Sequence, residues 1–342
     1  MVLIKKLVRR FDAYQQREPW VAFTVGVAKK YVEDRGPSLA ALLAYYGVLS
    51  LFPLLLVLFT ALGLLFSHDP SFRNRVIHSA LSQFPVVGKQ LGGHDAITQL
   101  RAKGLGLAIG LVGLFWGSLG VTKAGQRAMA DVWNVPQLNR PRFARRIGRG
   151  VEFLGVLVLD VVVSTALAGL VTFDGHAFWL RAIAVVVGVS VNVALFLLGF
   201  RILTPNSVAT KALITGATIA AIAWNLLQYL GTWLVGHELR HASQLYGYFG
   251  SILGLVSFLF IAAEITLIAA EINVVKARHL YPRSLTPPFT SADEAVLTAL
   301  ARQSQRFVAE TVDVHFEDET DDVTRESPKE LDTTPWSEPT TT

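Results

Sequence analysis

The chain has 342 residues, of which 52% are hydrophobic and only 17% are charged, and its formal net charge is +5. A soluble chain of this length divides its apolar residues among separate cores, whereas this chain concentrates them in runs long enough to cross a bilayer. An ordinary soluble protein is therefore excluded, and the absence of cysteine excludes disulfides and thiolate metal sites.

The N-terminal region, 1–38, has the pattern of helices that lie in a membrane surface. One helical face of the opening segment is apolar and the other is basic: Leu3, Ile4, Leu7, Val8 and Phe11 against Lys5, Lys6, Arg9 and Arg10. Such a helix is attracted to anionic lipid headgroups. The segment PWVAFTVGVAKKYVEDRGPS is expected to repeat the arrangement. We therefore predict a cytoplasmic interfacial region before the first span.

Six apolar runs are long enough to span a membrane as helices. They are Leu39–Phe66, Gly104–Val121, Val151–Thr172, Trp179–Phe200, Ala212–Val235 and Tyr248–Ile272. The loop 67–103 is too long for a simple turn and carries scattered apolar residues, so we expect one or two short external helices there. The predicted fold is all-α, a polytopic membrane protein whose six transmembrane helices form the domain 39–289.

The distribution of Lys and Arg predicts the orientation of these spans. The N-terminal region and the connections on its side of the membrane hold twenty basic residues, and the opposite connections hold seven. Both termini are therefore expected in the cytoplasm. The basic cluster RPRFARRIGRG suits anionic phospholipid headgroups, although the orientation rule alone accounts for it.

In the second span, glycines recur at steps of four and three residues. They are Gly106, Gly110, Gly113, Gly117 and Gly120. A groove of this kind lets another helix approach closely. Packing inside the chain is the default expectation, and a homo-oligomer formed through the first four of these glycines is the alternative.

The C-terminal region, 290–342, is predicted to be an acidic and mostly disordered cytoplasmic tail. Residues 307–342 hold eleven acidic and two basic side chains, a net charge of −9. The composition favours a tail surrounded by solvent. The alternative is that the tail lies against the basic cytoplasmic face.

Polar residues or a proline fall near the midpoint of five predicted spans. They are Ser50 and Pro53 in the first span, Asp160 in the third, Asn192 in the fourth, Asn225 and Gln228 in the fifth, and Glu264 in the sixth. All lie within about 6 Å of the midplane at the helical rise per residue. A proline at that depth is expected to interrupt its helix, which is tolerated where the freed carbonyls face protein or water.

The two carboxylates at this depth need an explanation, because each costs about 2.5–3.5 kcal/mol to insert at the bilayer centre. Transporters commonly place binding sites at the midplane beside interrupted helices. Our hypothesis is that Asp160 and Glu264 carry protons or bind a cation during a transport cycle. The alternative is that the polar side chains only hold helices together.

The segment HELRH, in the predicted external connection between the fifth and sixth spans, fits the H-E-x-x-H pattern. On one helix this pattern places two histidines, here His237 and His241, on a shared face for zinc, with Glu238 as base. Arg240 places a cation between the two ligands, and no third ligand is evident. Coincidence is the favoured interpretation, and an external metal-dependent hydrolase is the alternative.

Three stretches of the chain carry the motifs of a known protein family. They are SLAALLAYYGVLSLFPLLLVLFTALGLL with Tyr45 and Tyr46, LTPNSVATKALITGATIAAIAWNLLQYL with Pro205 and Asn206, and YGYFGSILGLVSFLFIAAEITLIAAEINVV with Glu271 and Asn273. Together with ADVWNVP, they resemble the YihY/virulence factor BrkB family of bacterial inner-membrane proteins, and the resemblance covers roughly residues 20–280. It implies a six-helix membrane fold but no catalytic residues. The family has also carried an older name as a ribonuclease. The scattered histidines of this chain, however, form no metal-ligand set for nuclease chemistry.

The sequence therefore predicts a non-enzymatic protein of the bacterial plasma membrane without a cofactor. Its predicted role is that of a transporter or a handler of lipid or envelope components, with membrane lipids as partners and no nucleic acid. A scaffold for envelope integrity that transports nothing is a further alternative.

Overall fold

A computed structural model describes residues 2–65, 105–140, 147–153, 155–156, 159, 178–237 and 239–316. Within these ranges the regular elements are helices and no strand occurs. We label the longer helices α1 (Val2–Gln15), α2 (Pro19–Glu33), α3 (Gly36–Leu65), α4 (Leu105–Val132), α5 (Phe178–Leu203), α6 (Ile214–His237), α7 (Leu239–Arg278) and α8 (Ser291–Gln303). The all-helical prediction is confirmed for the described residues.

Three segments within the described residues are long and apolar enough to cross a membrane: Val186–Leu203, Thr210–Gly231 and Ile252–Arg278. They correspond to the fourth, fifth and sixth predicted spans. The helix α3 contains a shorter apolar segment, Gly36–Leu51. Most of the third predicted span and the external loop 67–103 lie outside the described residues. The structure is thus that of a helical membrane protein, and the number of six spans stays a prediction.

The helix α3 continues through Pro53 without interruption, from Gly36 to Leu65. The expected break in this helix is therefore wrong. Proline removes one backbone donor and one hydrogen bond from a helix, and a helix of 30 residues keeps the remainder on both sides.

The long helix α7 lies at the centre of the described bundle, where it contacts α2, α3, α4 and α6. The closest approach is to α6, since a Cβ atom on Gly216 would lie 2.1 Å from the carbonyl oxygen of Ala269. The α3–α4 contact also depends on glycine. A Cβ atom on Gly117 would lie 2.9 Å from Cα of Ser50, so this part of the glycine groove packs inside the chain.

The helix α2 runs antiparallel along the C-terminal part of α7. Gly26 lies beside Val275, and Lys30 lies beside Glu271, one to two turns earlier on α7. The buried side of α2 consists of Val21, Ala22, Gly26, Val27 and Lys30. The sequence pattern predicted a surface helix here, and it did not indicate that a lysine belongs to the face that α7 covers.

The helix α8 adds an ordered element at the start of the predicted acidic tail. Thr290 and Asp293 form a reciprocal capping box at its N-terminus, which satisfies backbone donors that the first turn leaves free. Ala292 and Val296 are buried. The helix therefore joins the packed end of the bundle, which we call the charged end: α2, α8 and the C-terminal parts of α4 and α7.

Candidate functional site

The charged end is built around a lysine that is completely removed from solvent. Lys30 donates to the carboxylate of Asp34, the residue that follows the end of α2, and to the carbonyl oxygen of Val132 at 2.8 Å. Its Nζ atom also lies 3.3 Å from Oε2 of Glu271 on α7. All three charged side chains are at most 1% exposed. One ammonium group is thus shared by two buried carboxylates on different helices.

A second layer of polar contacts joins this cluster to α8. The amide nitrogen of Asn134 lies 3.1 Å from both Oδ1 of Asp34 and Oε1 of Gln303. Gln303 in turn donates to Asp131 at 2.8 Å, and Arg140 donates to the same Asp131 oxygen at 2.6 Å. The acidic groups of this layer are therefore held by partners from the protein itself.

Asp34, Asp131, Arg140 and Gln303 of these two layers line a cavity of about 950 Å³ at the charged end. Its lining comes from α2, α3, α4, α8 and the segment after α4: Glu33, Asp34, Arg35, Ser38, Leu39, Leu42, Lys123, Gln126, Arg127, Ala130, Asp131, Gln137, Arg140, Leu300 and Gln303. Half or more of its surface is polar. The volume falls in the range of sites that take small ligands.

The acidic and the cationic side chains that line this cavity differ in whether they have a partner. The lining acids Asp34 and Asp131 have the partners described above, and Glu33 is paired with Arg283 at 2.9 Å. By contrast, the exposed side chains of Arg35 and Lys123 make no ion pair or hydrogen bond with a described residue. Arg127 is largely exposed and approaches Asp131 only at 3.8 Å. We call Arg35, Lys123 and Arg127 the cation rim, and its net character is positive.

The turn between α2 and α3 sets the position of the rim. Arg35 has a positive φ of 57°, and the chain then enters α3 at Gly36. A Cβ atom on Gly36 would lie 2.0 Å from the ring of Tyr31, so only glycine leaves room for that ring. The sharp turn projects Arg35 over the cavity while Tyr31 points toward α7.

The hydroxyl group of Tyr31 donates a hydrogen bond to Glu264 of α7. Burial, together with this hydrogen bond and the nearby carboxylates, raises the pKa of the Tyr31 phenol well above its usual range. The phenol therefore acts only as a donor to Glu264 at physiological pH. Lys30 and Tyr31 together attach α2 to one face of α7.

A second ionic cluster fixes the segment that leads from α7 to α8. Asp293 accepts from Lys29 of α2 and from Nε of Arg283, both at 2.6 Å. Burial opposes ionisation of Asp293, but the hydrogen bonds from Lys29, Arg283, Ser284 and Thr290 outweigh it and hold its pKa well below the usual range. The carboxylate is therefore ionised in the folded protein, and it joins α8 to α2.

The helix α1 is attached to the same segment by its polar side. Asp12 accepts from the backbone N–H of Leu285 at 2.9 Å, and Gln15 donates to the carbonyl oxygen of Arg283. Burial opposes ionisation of Asp12, but its hydrogen bonds with Leu285, Gln15, Gln16 and Thr286 outweigh it and lower its pKa. The apolar side chains Leu7 and Phe11 remain 69% and 47% exposed. These two apolar side chains of α1 are thus largely uncovered by the described part of the chain.

The described residues of the predicted midplane layer do not form one cluster. The amide of Asn192 on α5 lies 3.5 Å from that of Asn225 on α6, whereas Glu264 is bonded to Tyr31. Ser50 donates to the carbonyl oxygen of Gly47 in its own helix. No hydrogen bond connects Glu264 with the asparagine pair in the described part of the chain. Gln228 lies on α6, and Asp160 lies outside the described residues.

The residues of the motifs that carry the resemblance have structural partners. Asn273 accepts from the backbone N–H of Gly216 at 2.6 Å and donates to the carbonyl oxygen of Leu213, which fixes the start of α6 against α7. Glu271 belongs to the Lys30 cluster. Asn206 accepts from Arg149 at 2.7 Å. Pro205 is buried, and Tyr45 and Tyr46 form an edge-to-face pair on α3.

The two histidines of the HELRH segment lie on different helices. His237 is the last residue of α6, and His241 lies in the first turn of α7; Glu238 lies outside the described residues. The H-E-x-x-H chemistry requires both imidazoles on one face of a single helix. Among the described residues, no group of three His, Asp or Glu side chains is arranged to hold a metal ion.

The sequence reasoning missed the Lys30 cluster and the cation rim. One local signal was available, because Lys30 and Asp34 are four residues apart and therefore neighbours on a helix. That signal also fits an exposed surface pair. The burial of Lys30 depends on Glu271, which is far away along the chain.

Comparisons with known proteins identify relatives of the chain and its family. The chain is 27% identical to "Inner membrane protein YhjD" of Escherichia coli (strain K12) over 276 residues, which cover 75% of this chain and 81% of the relative. It is 26% identical to an uncharacterized protein of Dickeya dadantii over 275 residues, which cover 74% of this chain and 82% of the relative. No solved structure matches. The family model described as "Virulence factor BrkB" matches residues 27–292, a segment that includes the whole Lys30 cluster, and the chain belongs to that family.

Proposed function

We propose that the chain is a six-span protein of the bacterial plasma membrane that binds and moves an anionic lipid or another anionic component of the envelope. The observation that carries the proposal is the cavity at the charged end. Its acids have partners inside the protein, whereas Arg35 and Lys123 of its rim have none among the described residues. A phosphate-bearing group is the complementary ligand.

The neighbouring surface of α3 supports an amphiphilic ligand. An apolar groove of about 490 Å³ lies between α3 and α7, lined by Ala41, Ala44, Tyr45, Val48, Leu49, Val256, Ser257, Phe260 and Ile261. Ser38 and Leu42 line the polar cavity from the same half of α3. The two sites therefore occupy adjacent faces of one helix. A charged headgroup in the cavity and an acyl chain in the groove fit this arrangement.

The proposal places the charged end and both termini in the cytoplasm. The excess of Lys and Arg on that side supports this orientation. The uncovered apolar side chains Leu7 and Phe11 of α1, next to Arg9 and Arg10, support contact with an anionic membrane surface. The name of the Escherichia coli relative supports the inner membrane as the location.

The proposal assigns no chemical reaction to the chain. Movement of the ligand would use Asp160 and Glu264 as proton- or cation-binding groups, as the depth of both residues suggests. A homo-oligomer through Gly106, Gly110 and Gly113 is compatible with this function. Gly117 is already in contact with Ser50 of α3, so it is not available to a second copy.

Lipid binding by purified protein tests the proposal. The variant Arg35→Gln/Lys123→Gln removes two rim cations without touching an internal ion pair, and Lys211→Gln, an exposed lysine on the short helix between α5 and α6, is the matched control. In nanodiscs of equal phosphatidylglycerol and phosphatidylcholine, native mass spectrometry counts the bound lipids. We expect the wild type and the control to retain phosphatidylglycerol selectively and the double variant to lose that selectivity. Equal selectivity in all three proteins would refute the proposed site.

A second experiment addresses movement rather than binding. Fluorescent phosphatidylglycerol in one leaflet of a proteoliposome is quenched by dithionite, so the rate of its exchange between leaflets is measurable. We expect Asp160→Asn/Glu264→Gln to abolish protein-dependent exchange. If exchange is unchanged, the protein binds lipid at the charged end but these two acids have no part in its transport.

A further inference from the structure

We propose that the acidic C-terminal tail, 317–342, binds the cation rim of the same molecule and competes there with the anionic ligand. The inference rests on the proposed function for the identity of that competing ligand, but the contact between tail and rim stands independently. It is argued from the rim, from the path of the chain after α8 and from the charge of the tail.

The rim has the chemistry to hold a carboxylate. Arg35 and Lys123 are exposed and have no partner among the described residues, and Arg127 is mostly exposed. The acidic lining residues Asp34 and Asp131 already have cationic partners, so they contribute little repulsion to an incoming anion. Arg35 and Lys123 are therefore cations beside a concave wall that have no partner in the described part of the chain.

The chain leaves α8 beside this cavity. Leu300 and Gln303, in the last turn of α8, form part of the lining. The carbonyl oxygen of Gln305 then accepts from the backbone N–H of Leu138, next to the lining residue Gln137. Glu310 closes a compact turn by accepting from the N–H groups of Arg306 and Phe307 at 2.6 and 3.3 Å. The hydrogen bond from Leu138 to Gln305 thus places the start of the tail at the edge of the cavity.

The tail carries a matching charge. Residues 317–342 contain nine acidic and two basic side chains, and five of the acids lie together at Glu317, Asp318, Glu319, Asp321 and Asp322. This acidic cluster begins seven residues after Glu310, and a chain of that length reaches up to roughly 25 Å when extended. A flexible linker this short gives an effective concentration in the millimolar range. The cluster is therefore within reach of the rim at a high effective concentration.

The expected consequence is that the tail limits the occupancy of the ligand site. Individual exposed ion pairs are weak, so the tail is displaced by a ligand that adds apolar contacts in the groove between α3 and α7. Anions without such contacts, inorganic phosphate among them, are expected to displace the tail less readily. The tail would in this way favour an amphiphile over a soluble anion.

Zero-length cross-linking of the full-length protein tests the contact directly. A carbodiimide joins a lysine amine to a carboxylate only when the two groups are in contact, and peptide mass spectrometry identifies the pair. We expect cross-links between Lys123 and the cluster 317–322 at low salt, and a decrease of at least about fivefold in 0.5 M NaCl, where such contacts are screened. Lys211 is the internal control. If Lys123 is joined to the tail no more often than Lys211, the inference is wrong.

The full-length variant with all five acids of the cluster changed to Asn or Gln tests the competition. We expect its phosphatidylglycerol occupancy in nanodiscs to rise by about threefold to tenfold, a change of roughly 1 kcal/mol in binding free energy. An unchanged occupancy would show that the tail does not compete with phosphatidylglycerol for the rim.

The two proposals fail in different ways. Cross-links from Lys123 without any selective lipid binding would leave the tail contact standing and refute the proposed ligand. Selective lipid binding without cross-links would refute the tail contact and leave the proposed function standing.

Discussion

The ammonium group of Lys30 on α2 lies 3.3 Å from the carboxylate of Glu271 on α7, and neither side chain has any exposed surface. The same lysine is paired with Asp34 and donates to the carbonyl oxygen of Val132. Three elements of the charged end therefore meet at a single cation. A buried ion pair contributes little net stability compared with apolar packing, but losing one partner leaves an uncompensated charge.

The first prediction concerns this cation. Lys30→Met is expected to lower the free energy of unfolding by about 3–5 kcal/mol, because two buried carboxylates then lack their cation. Thermal unfolding of the purified protein in detergent, followed by circular dichroism, measures the loss. Lys211→Met, at an exposed position, is expected to change it by less than about 0.5 kcal/mol. A Lys30→Met protein as stable as this control would contradict the burial of the cluster.

The second prediction concerns the crossing of α6 and α7. Gly216→Ala places a Cβ atom 2.1 Å from the carbonyl oxygen of Ala269 and 2.4 Å from Nδ2 of Asn273, so the helices must separate. We expect a large fall in the yield of folded protein, measured by fluorescence-detected size-exclusion chromatography.

Gly188→Ala is the matched control for this crossing. A Cβ atom on Gly188, in α5, meets nothing within 4 Å. Alanine favours a helix over glycine by roughly 0.5–1 kcal/mol, so the control protein is expected to be as stable as the wild type or slightly more stable. Equal yields of the two variants would show that the helices do not cross so closely.

The apolar runs of the sequence predicted the membrane helices well where the structure describes them. The expected span Trp179–Phe200 corresponds to α5, Phe178–Leu203, because apolar length alone determines such an element. The burial of Lys30 was not predictable in this way. A basic residue on an amphipathic helix indicates a solvent-facing position, and only the tertiary contact with Glu271 reverses that expectation.

The candidate site was also only partly predictable from the sequence. Depth along each span was the basis for grouping Asn192, Asn225 and Glu264, and the first two do approach each other. Glu264 instead faces Tyr31, because the same depth in two helices does not specify which sides face each other. The cation rim could not be predicted from the sequence either, because its members come from α4 and from the turn before α3.

The third prediction concerns pH. The pKa of Asp293 is depressed in the folded protein, so its carboxylate contributes stability above its unfolded pKa of about 3.9, and this contribution is lost as the pH falls through the folded value. The difference in melting temperature between the wild type and Asp293→Asn is therefore expected to be largest at pH 7 and smaller at pH 3.

Asp313→Asn serves as the control for this pH dependence, since Asp313 is exposed. Its melting temperature is expected to equal that of the wild type at both pH values. A difference for Asp293→Asn that stays constant from pH 7 to pH 3 would show that Asp293 acts through packing rather than through its charge.

The last prediction concerns the attachment of α2 to the middle of α7. Tyr31→Phe removes only the hydroxyl group that donates to Glu264, and leaves the ring beside Gly36 in place. We expect a loss of about 1–3 kcal/mol, because a partly buried carboxyl group then lacks its donor. Tyr45→Phe makes the same chemical change on a side chain that is 58% exposed, and is expected to cost almost nothing.

In a double-mutant cycle, Tyr31→Phe and Glu264→Gln should be strongly non-additive, since each removes one partner of the same hydrogen bond. Additive losses would mean that the two side chains act independently, and that Glu264 has another partner at its depth in the membrane.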